Sequence, residues 1–166
     1  SRMSPAGIPM FYGALDRATT IAETIKEPTR YALAEFRTTR AIQVLDLTKR
    51  PWVSIFDEQR GQLSEWCRFM NGFITDFERP VSNNGEQHYE YVSTQIVTEF
   101  FRTMPGFAPP LDGILYTSVQ NPGGVCVVLF VDRGDVDESP DPSKTPSGSR
   151  LLKMRQVWNK RRRPAN

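Results

Sequence analysis

Apolar residues recur at helical intervals in three segments of the chain, about 18–25, 57–77 and 91–104, and each segment predicts an amphipathic helix. Asp16 stands just before the first segment, where an aspartate side chain can accept hydrogen bonds from the unpaired N–H groups of a helix start. Pro105 directly follows the third segment and marks its end, because proline cannot continue a helix.

The same spacing predicts which side chains each helix buries. They are Ala18, Ile21, Ala22 and Ile25 in the first helix, Leu63, Trp66, Cys67, Met70, Ile74 and Phe77 in the second, and Ile96, Val97, Phe100, Phe101 and Met104 in the third. We expect these stripes to face the protein core.

Shorter apolar or alternating runs predict strands between the helices. These runs are residues 10–14, 31–36, 41–47, 114–119 and 125–131. The last of them is apolar almost throughout, which is typical of a central strand covered on both faces. Residues 151–160 allow either a helix or a strand. Strands and helices that mix without regular alternation predict an α+β fold.

Length and charge limit the classes of protein to which this chain could belong. The chain has 166 residues, which suits one domain, 1–166, and its net charge of +2 is too small to indicate a nucleic-acid or membrane partner. No apolar run approaches the roughly 20 residues that span a membrane. A basic cluster at 160–163 could contact nucleic acid, but acidic residues at 132–141 offset it and no aromatic residues interleave with it. Nucleic-acid binding is therefore not favoured.

Cysteine and histidine are scarce. Cys67 and Cys126 are predicted to be buried free thiols, which fits a reducing cytoplasm. His88 is the one histidine, and no two cysteines are closely spaced, so we predict no metal site. Residues 132–149 are rich in Asp, Ser and Pro and are predicted to form a mobile loop.

Several polar residues could hold a ligand, and each has an ordinary structural alternative. The planar guanidinium group of Arg2 could bind a diphosphate, or Arg2 could be a solvated residue of a frayed terminus. Tyr12 could stack on a ligand or pack in the sheet. Glu23 lies off the apolar stripe. It could be a solvated helix carboxylate, or it could lie at the rim of the buried face and point into a cleft. Ser118 lies where a strand opens into a loop, and Asn121 suits ligand contact or a turn.

The sequence around these residues resembles the RES family, which is named for its Arg, Glu and Ser. The resemblance is carried by RMSPAGIPMFYGA, TTIAETI, YVSTQIVTEF and DGILYTSVQNPGGVCVVLF. It implies an ADP-ribosyltransferase-like fold with mixed or antiparallel sheets and flanking helices, closed by a strand at 151–160. In the family pattern a further strand and loop precede the Arg, so we expect this chain to be the C-terminal part of a longer protein.

The resemblance also implies an enzyme that consumes NAD without a metal. It assigns Glu23, Tyr12 and Arg2 to catalysis, and Arg2, Tyr12, Ser118 and Asn121 to NAD binding. Water or inorganic phosphate would accept the ADP-ribose, and the protein would be a toxin blocked by a proteinaceous antitoxin. Two alternatives remain: transfer of ADP-ribose to a protein, and a non-catalytic NAD-binding or interaction module. Val119 and Gln120 replace the arginine that many members carry after the Ser, which leaves the binding of a second anion unassigned.

Overall fold

A computed structural model of the chain describes residues 3–5, 7–27, 30–54, 56–58, 60–78, 87–104, 106, 108–139 and 150–161, without the side chains of 87–91, 93, 160 and 161. The described part therefore does not include Arg2, Pro105, the side chain of His88 or residues 140–149.

The described residues form seven strands, three α-helices and one short 3₁₀ turn. In chain order these are β1 (Phe11–Ala14), α1 (Arg17–Thr24), β2 (Arg30–Thr38), β3 (Val44–Asp46), α2 (Arg60–Glu78), α3 (Gln87–Thr103), β4 (Gly113–Thr117), β5 (Val125–Leu129), the 3₁₀ turn (Arg133–Asp135), β6 (Val136–Asp137) and β7 (Leu152–Arg161). The predicted helices and strands are all present, and the ambiguous segment near the end is a strand.

The strands build two sheets. The first has the order β1-β5-β4-β3, and the second has the order β2-β7-β6. Neighbours are antiparallel except for β3 beside β4 and β6 beside β7, which are parallel. Both sheets are therefore mixed, which confirms the α+β fold. β5 lies between β1 and β4, as its apolar sequence predicts.

The two faces of the first sheet pack against different partners. Successive side chains of a strand point to opposite faces, so Val128 and Leu129 of β5 belong to different apolar clusters. Val128 packs with Phe73, Ile74 and other residues of the helices. Leu129 packs in a second cluster, which includes Leu152 of the second sheet. Helices α2 and α3 and the second sheet thus cover opposite faces of the first sheet.

The predicted helix stripes are correct for only part of each helix. Met70, Ile74 and Phe77 of α2 and Phe101 of α3 are buried, and Phe73 joins them. The predictions for Leu63 and Trp66 in α2, Ile96 and Phe100 in α3, and Ala18 in α1 are wrong, because these side chains are exposed. Periodicity identifies the apolar face of a helix, but the length of that face that is covered depends on what packs against it.

Threonines occupy buried positions that the apolar pattern does not assign. Thr94 and Thr98 are 2% and 0% exposed in α3, and the Thr98 hydroxyl donates a hydrogen bond of 2.7 Å to the Thr94 carbonyl. A hydroxyl satisfied by its own helix can be buried at little cost. Thr19 of α1 is also fully buried, and its hydroxyl is hydrogen-bonded both to Asp16 and to Asn121, which lies in another part of the chain.

Two further predictions concern the segment 132–149 and the absence of a membrane-spanning segment. Residues 133–137 form the 3₁₀ turn, which Asp132 caps, and β6. The mobility of 132–149 stays a prediction. Within the described ranges, no helix combines the length and the apolar character that crossing a membrane requires.

Candidate functional site

The site begins at the start of α1, where Asp16 caps the helix as predicted. Its carboxylate accepts hydrogen bonds from the Thr19 backbone N–H at 2.9 Å and from the Thr19 hydroxyl at 2.6 Å. These bonds, the hydroxyl bond first, lower the pKa of Asp16 below its ordinary value. Asp16 is therefore an ionised hydrogen-bond acceptor at neutral pH.

Glu23 lies one turn further along α1 and contacts the loop that follows β4. The Ser118 hydroxyl donates a hydrogen bond of 2.5 Å to Glu23 Oε1, and the Gln120 backbone N–H lies 3.3 Å from the same oxygen. Ser118 is 5% exposed, and Glu23 is partly buried. Two residues that are 95 positions apart in the sequence thus form one polar group.

The loop at 118–124 is a closed turn that is attached to α1. The Asn121 backbone N–H donates to Ser118 Oγ at 2.9 Å, and the Asn121 side-chain amide donates to Thr19 Oγ1 at 2.7 Å. The Gly124 N–H donates to the Asn121 carbonyl at 2.9 Å and closes the turn. Asn121 therefore lies in a turn held against α1, and its observed contacts are those of a turn residue.

Two groups that the sequence did not suggest lie beside Glu23. Tyr116 and Cys126 are partners in the register of β4 and β5. Burial, and then the charge of Glu23, raises the pKa of the Cys126 thiol to about 11. The thiol thus lies close to Tyr116, Ser118 and Glu23.

Tyr116 is held in its neutral form by the same surroundings. Burial is the main cause that raises its pKa, and Cys126 and Glu23 add to the shift. Tyr116 precedes Ser118 by two positions, so the alternation of a strand places both on one face. That alternation is the one sequence signal that could have indicated Tyr116.

Tyr12 lies in β1, next to β5. Tyr12 is 41% exposed and makes the smallest contribution to the raised pKa of Tyr116, so Tyr12 borders the group around Glu23. Its neighbour Phe11 points to the other face and packs edge-on against Phe36 at 5.0 Å between ring centroids. The structure brings Tyr12, Glu23, Ser118 and Asn121 into one region, and it does not describe Arg2.

A cavity of about 960 Å³ lies between α1, β1 and the second sheet. Tyr12, Thr20 and Trp158 are among the residues that line it, whereas Glu23 and Ser118 do not. Two acids, Asp16 and Glu35, also line it. A Glu35 carboxylate oxygen lies 3.8 Å from the Arg17 guanidinium group, and both side chains are exposed. We assign the polar chemistry to the group around Glu23, because that group combines a partly buried carboxylate with a hydroxyl that donates to it.

The described residues contain no group of three or more His, Cys, Asp and Glu side chains that could hold a metal ion. A carboxylate, two hydroxyl groups, an amide and an exposed aromatic ring can instead bind ribose and an aromatic base by hydrogen bonding and stacking.

The fold and the site define an α+β protein with a carboxylate–hydroxyl centre on one face of a mixed sheet. The family model of the RES domain matches residues 1–150, and the chain therefore belongs to the RES domain family. RES domains are in general NAD-related toxin modules. No curated protein and no solved structure is similar enough to match the chain, so its likeness to ADP-ribosyltransferases stays a prediction.

The raised pKa of the Cys126 thiol predicts that the two cysteines differ in their reactivity with alkylating reagents. At about pH 8 a thiol with a pKa near 11 is ionised in roughly one molecule in a thousand, and the thiolate is the reactive form. Since Cys126 is also buried, we expect iodoacetamide to leave it unmodified in the folded protein and to modify it after denaturation. Peptide mass spectrometry measures this, with the less buried Cys67 as the internal comparison. Equal labelling of Cys126 before and after denaturation would contradict its placement.

Proposed function

We propose that this protein cleaves the bond between nicotinamide and ribose in NAD, with Glu23 as the carboxylate that stabilises the ribosyl cation. One observation supports this role above the others: the Ser118 hydroxyl donates a 2.5 Å hydrogen bond to Glu23 Oε1. The two residues come from distant parts of the segment that the RES family model matches. The bond keeps the carboxylate beside the sheet instead of in bulk solvent.

The chemistry requires little of the protein beyond positioning and charge. As the glycosidic bond breaks, its electron pair leaves with nicotinamide, which departs neutral and needs no acid. Positive charge then develops on the ribose, where a fixed carboxylate stabilises it. Water attacks the ribose carbon and loses a proton to solvent, which gives ADP-ribose. Inorganic phosphate in place of water would give the phosphorylated product.

The remaining residues would hold the substrate. Arg2 would bind the diphosphate through its guanidinium group, and Tyr12 would stack on the nicotinamide side. Ser118 and Asn121 would face the ribose from the loop after β4. Arg2, Tyr12 and Glu23 thus form the proposed catalytic set.

Membership of the family also supports a proposal about the biological setting. RES domains are in general toxin modules, and we propose that this chain depletes NAD and is inhibited by a proteinaceous antitoxin that covers the site. We propose the cytoplasm as its location, because a reducing compartment would keep the two unpaired cysteines in the thiol form.

Product analysis tests the proposal. The purified protein is incubated with NAD, with and without phosphate, and the products are identified by mass spectrometry. We expect nicotinamide with ADP-ribose in the absence of phosphate, and a phosphorylated ADP-ribose if phosphate is the acceptor. Mass added to a protein in the mixture would instead indicate a protein ADP-ribosyltransferase. Binding of NAD without any product would contradict catalysis and support a non-catalytic module.

A further inference from the structure

We infer that Thr19 is a positioning residue, whose buried hydroxyl holds the 118–124 turn against α1 and thereby keeps Ser118 on Glu23. This inference rests on the proposed function, in which Glu23 must be fixed beside the ribose. Thr19 itself is fully buried, is separated from Glu23 by one turn of α1, and is not placed in contact with the substrate.

The direction of each hydrogen bond follows from the chemistry of the groups. Asp16 is an ionised carboxylate and can only accept, so the Thr19 hydroxyl must donate its one proton to Asp16 Oδ2, at 2.6 Å. The lone pairs of Thr19 Oγ1 then accept from the Asn121 amide, at 2.7 Å. This acceptor fixes which end of the Asn121 amide points towards α1.

The same logic continues to Glu23. Ser118 Oγ accepts the Asn121 backbone N–H at 2.9 Å, so its own proton remains for Glu23 Oε1. Two chains of donated hydrogen bonds therefore diverge from Asn121, one through Ser118 to Glu23 and the other through Thr19 to Asp16. Hydrogen bonds arranged in series polarise and strengthen one another.

Close packing adds to this coupling. A Cβ atom added at Gly124 would lie 2.2 Å from Thr19 Oγ1 and 2.9 Å from the Asn121 amide nitrogen. Only a glycine therefore allows the turn to approach Thr19 so closely. The contact prevents the turn from moving closer to α1 while the Thr19 side chain is in place.

Helix capping alone does not explain the Thr19 hydroxyl. Asp16 already caps α1 through the Thr19 backbone N–H, and that bond would remain with any side chain at this position. Two other threonines of α1 provide a comparison. The hydroxyls of Thr20 and Thr24 donate to the carbonyls of Asp16 and Thr20, within the helix itself. Thr19 is the one of the three whose described bonds reach the 118–124 turn.

Thr19→Val tests the inference, because valine keeps the shape of threonine and removes the hydroxyl. We expect kcat for NAD cleavage to fall roughly 10-fold or more, with KM changed by less than about two-fold, because a misplaced group costs rate more than binding. Thr19→Ser retains the hydroxyl and should restore most of the loss. Thr20→Val is the matched control and should retain the kcat of the unmodified protein within about two-fold.

Further measurements separate the possible outcomes. A folded Thr19→Val protein with unchanged kcat, or an equal loss in Thr19→Val and Thr19→Ser, overturns the inference. If Thr19→Val does not fold, Thr19→Ala removes the same hydroxyl with a smaller side chain and should likewise lower kcat while changing KM by less than about two-fold. If the unmodified protein cleaves no NAD, the proposed function fails. A crystal structure of the Thr19→Val protein then tests whether Thr19 is a positioning residue. A distance between Ser118 Oγ and Glu23 Oε1 that is still below about 3.5 Å in the Thr19→Val structure would overturn the positioning role of Thr19.

Discussion

Replacing Glu23 with alanine should lower the rate of NAD cleavage by about 100-fold or more, which is the scale measured when one group that stabilises a transition state is removed. Glu23 is the carboxylate to which the Ser118 hydroxyl and the Gln120 N–H point. Without it, the turn after β4 would retain its donors but lose the negative charge opposite the ribose. We expect the loss in kcat, with a smaller change in KM.

Two variants make the Glu23 result specific. Glu23→Gln retains a carbonyl oxygen that can accept from Ser118 and removes only the charge, so it should lose nearly as much activity as Glu23→Ala. Glu27→Gln is the matched control, because Glu27 is exposed and lies just beyond the end of α1. The measurement is nicotinamide release under initial-rate conditions, with thermal unfolding as a check on the fold. Normal turnover in folded Glu23→Ala would exclude Glu23 from the chemistry.

The surroundings of Glu23 explain why a charge at this point should matter. Burial holds both the Cys126 thiol and the Tyr116 phenol neutral, so the groups beside Glu23 carry no competing charge. In such a poorly solvated place a fixed carboxylate acts more strongly on a developing cation than it would in water.

Local patterns were enough to predict most of the fold. Asp16 before an apolar repeat predicts α1 and its cap, and the apolar run at 125–131 predicts a central strand, because both signals come from neighbouring residues. How the strands assemble is not local. β2 and β3 follow one another in the chain, yet they belong to different sheets. The outcome depends on β7, which arrives more than a hundred residues later and pairs with β2.

The candidate site divides in a similar way. The resemblance to the RES family identified Tyr12, Glu23, Ser118 and Asn121, and the structure brings these four residues into one region. The local sequence around Thr19 indicates helix capping most simply, because a threonine near a helix start usually caps. Its second contact crosses 102 residues of sequence to Asn121, and no local pattern indicates such a contact.

Gly113→Ala should destabilise the fold strongly, lowering the free energy of unfolding by roughly 3 kcal/mol or more. Gly113 is buried at the start of β4 and pairs with Leu129 of β5. A Cβ atom there would lie 2.2 Å from the Val128 carbonyl oxygen and 2.8 Å from Leu129 Cδ2. The first neighbour is backbone in a central strand, so the clash can be relieved only by separating β4 from β5.

Gly72→Ala is the matched control, because Gly72 lies within α2 and nothing is within 4 Å of the position of an added Cβ. Alanine favours a helix over glycine by about 0.5–1 kcal/mol, so this variant should be slightly more stable than the unmodified protein. Urea unfolding followed by circular dichroism measures both variants. Because β4 leads into Ser118 and β5 carries Cys126, a separation of these strands would also displace the groups around Glu23. Equal unfolding free energies for the two variants would contradict the close contact between β4 and β5 on which the site depends.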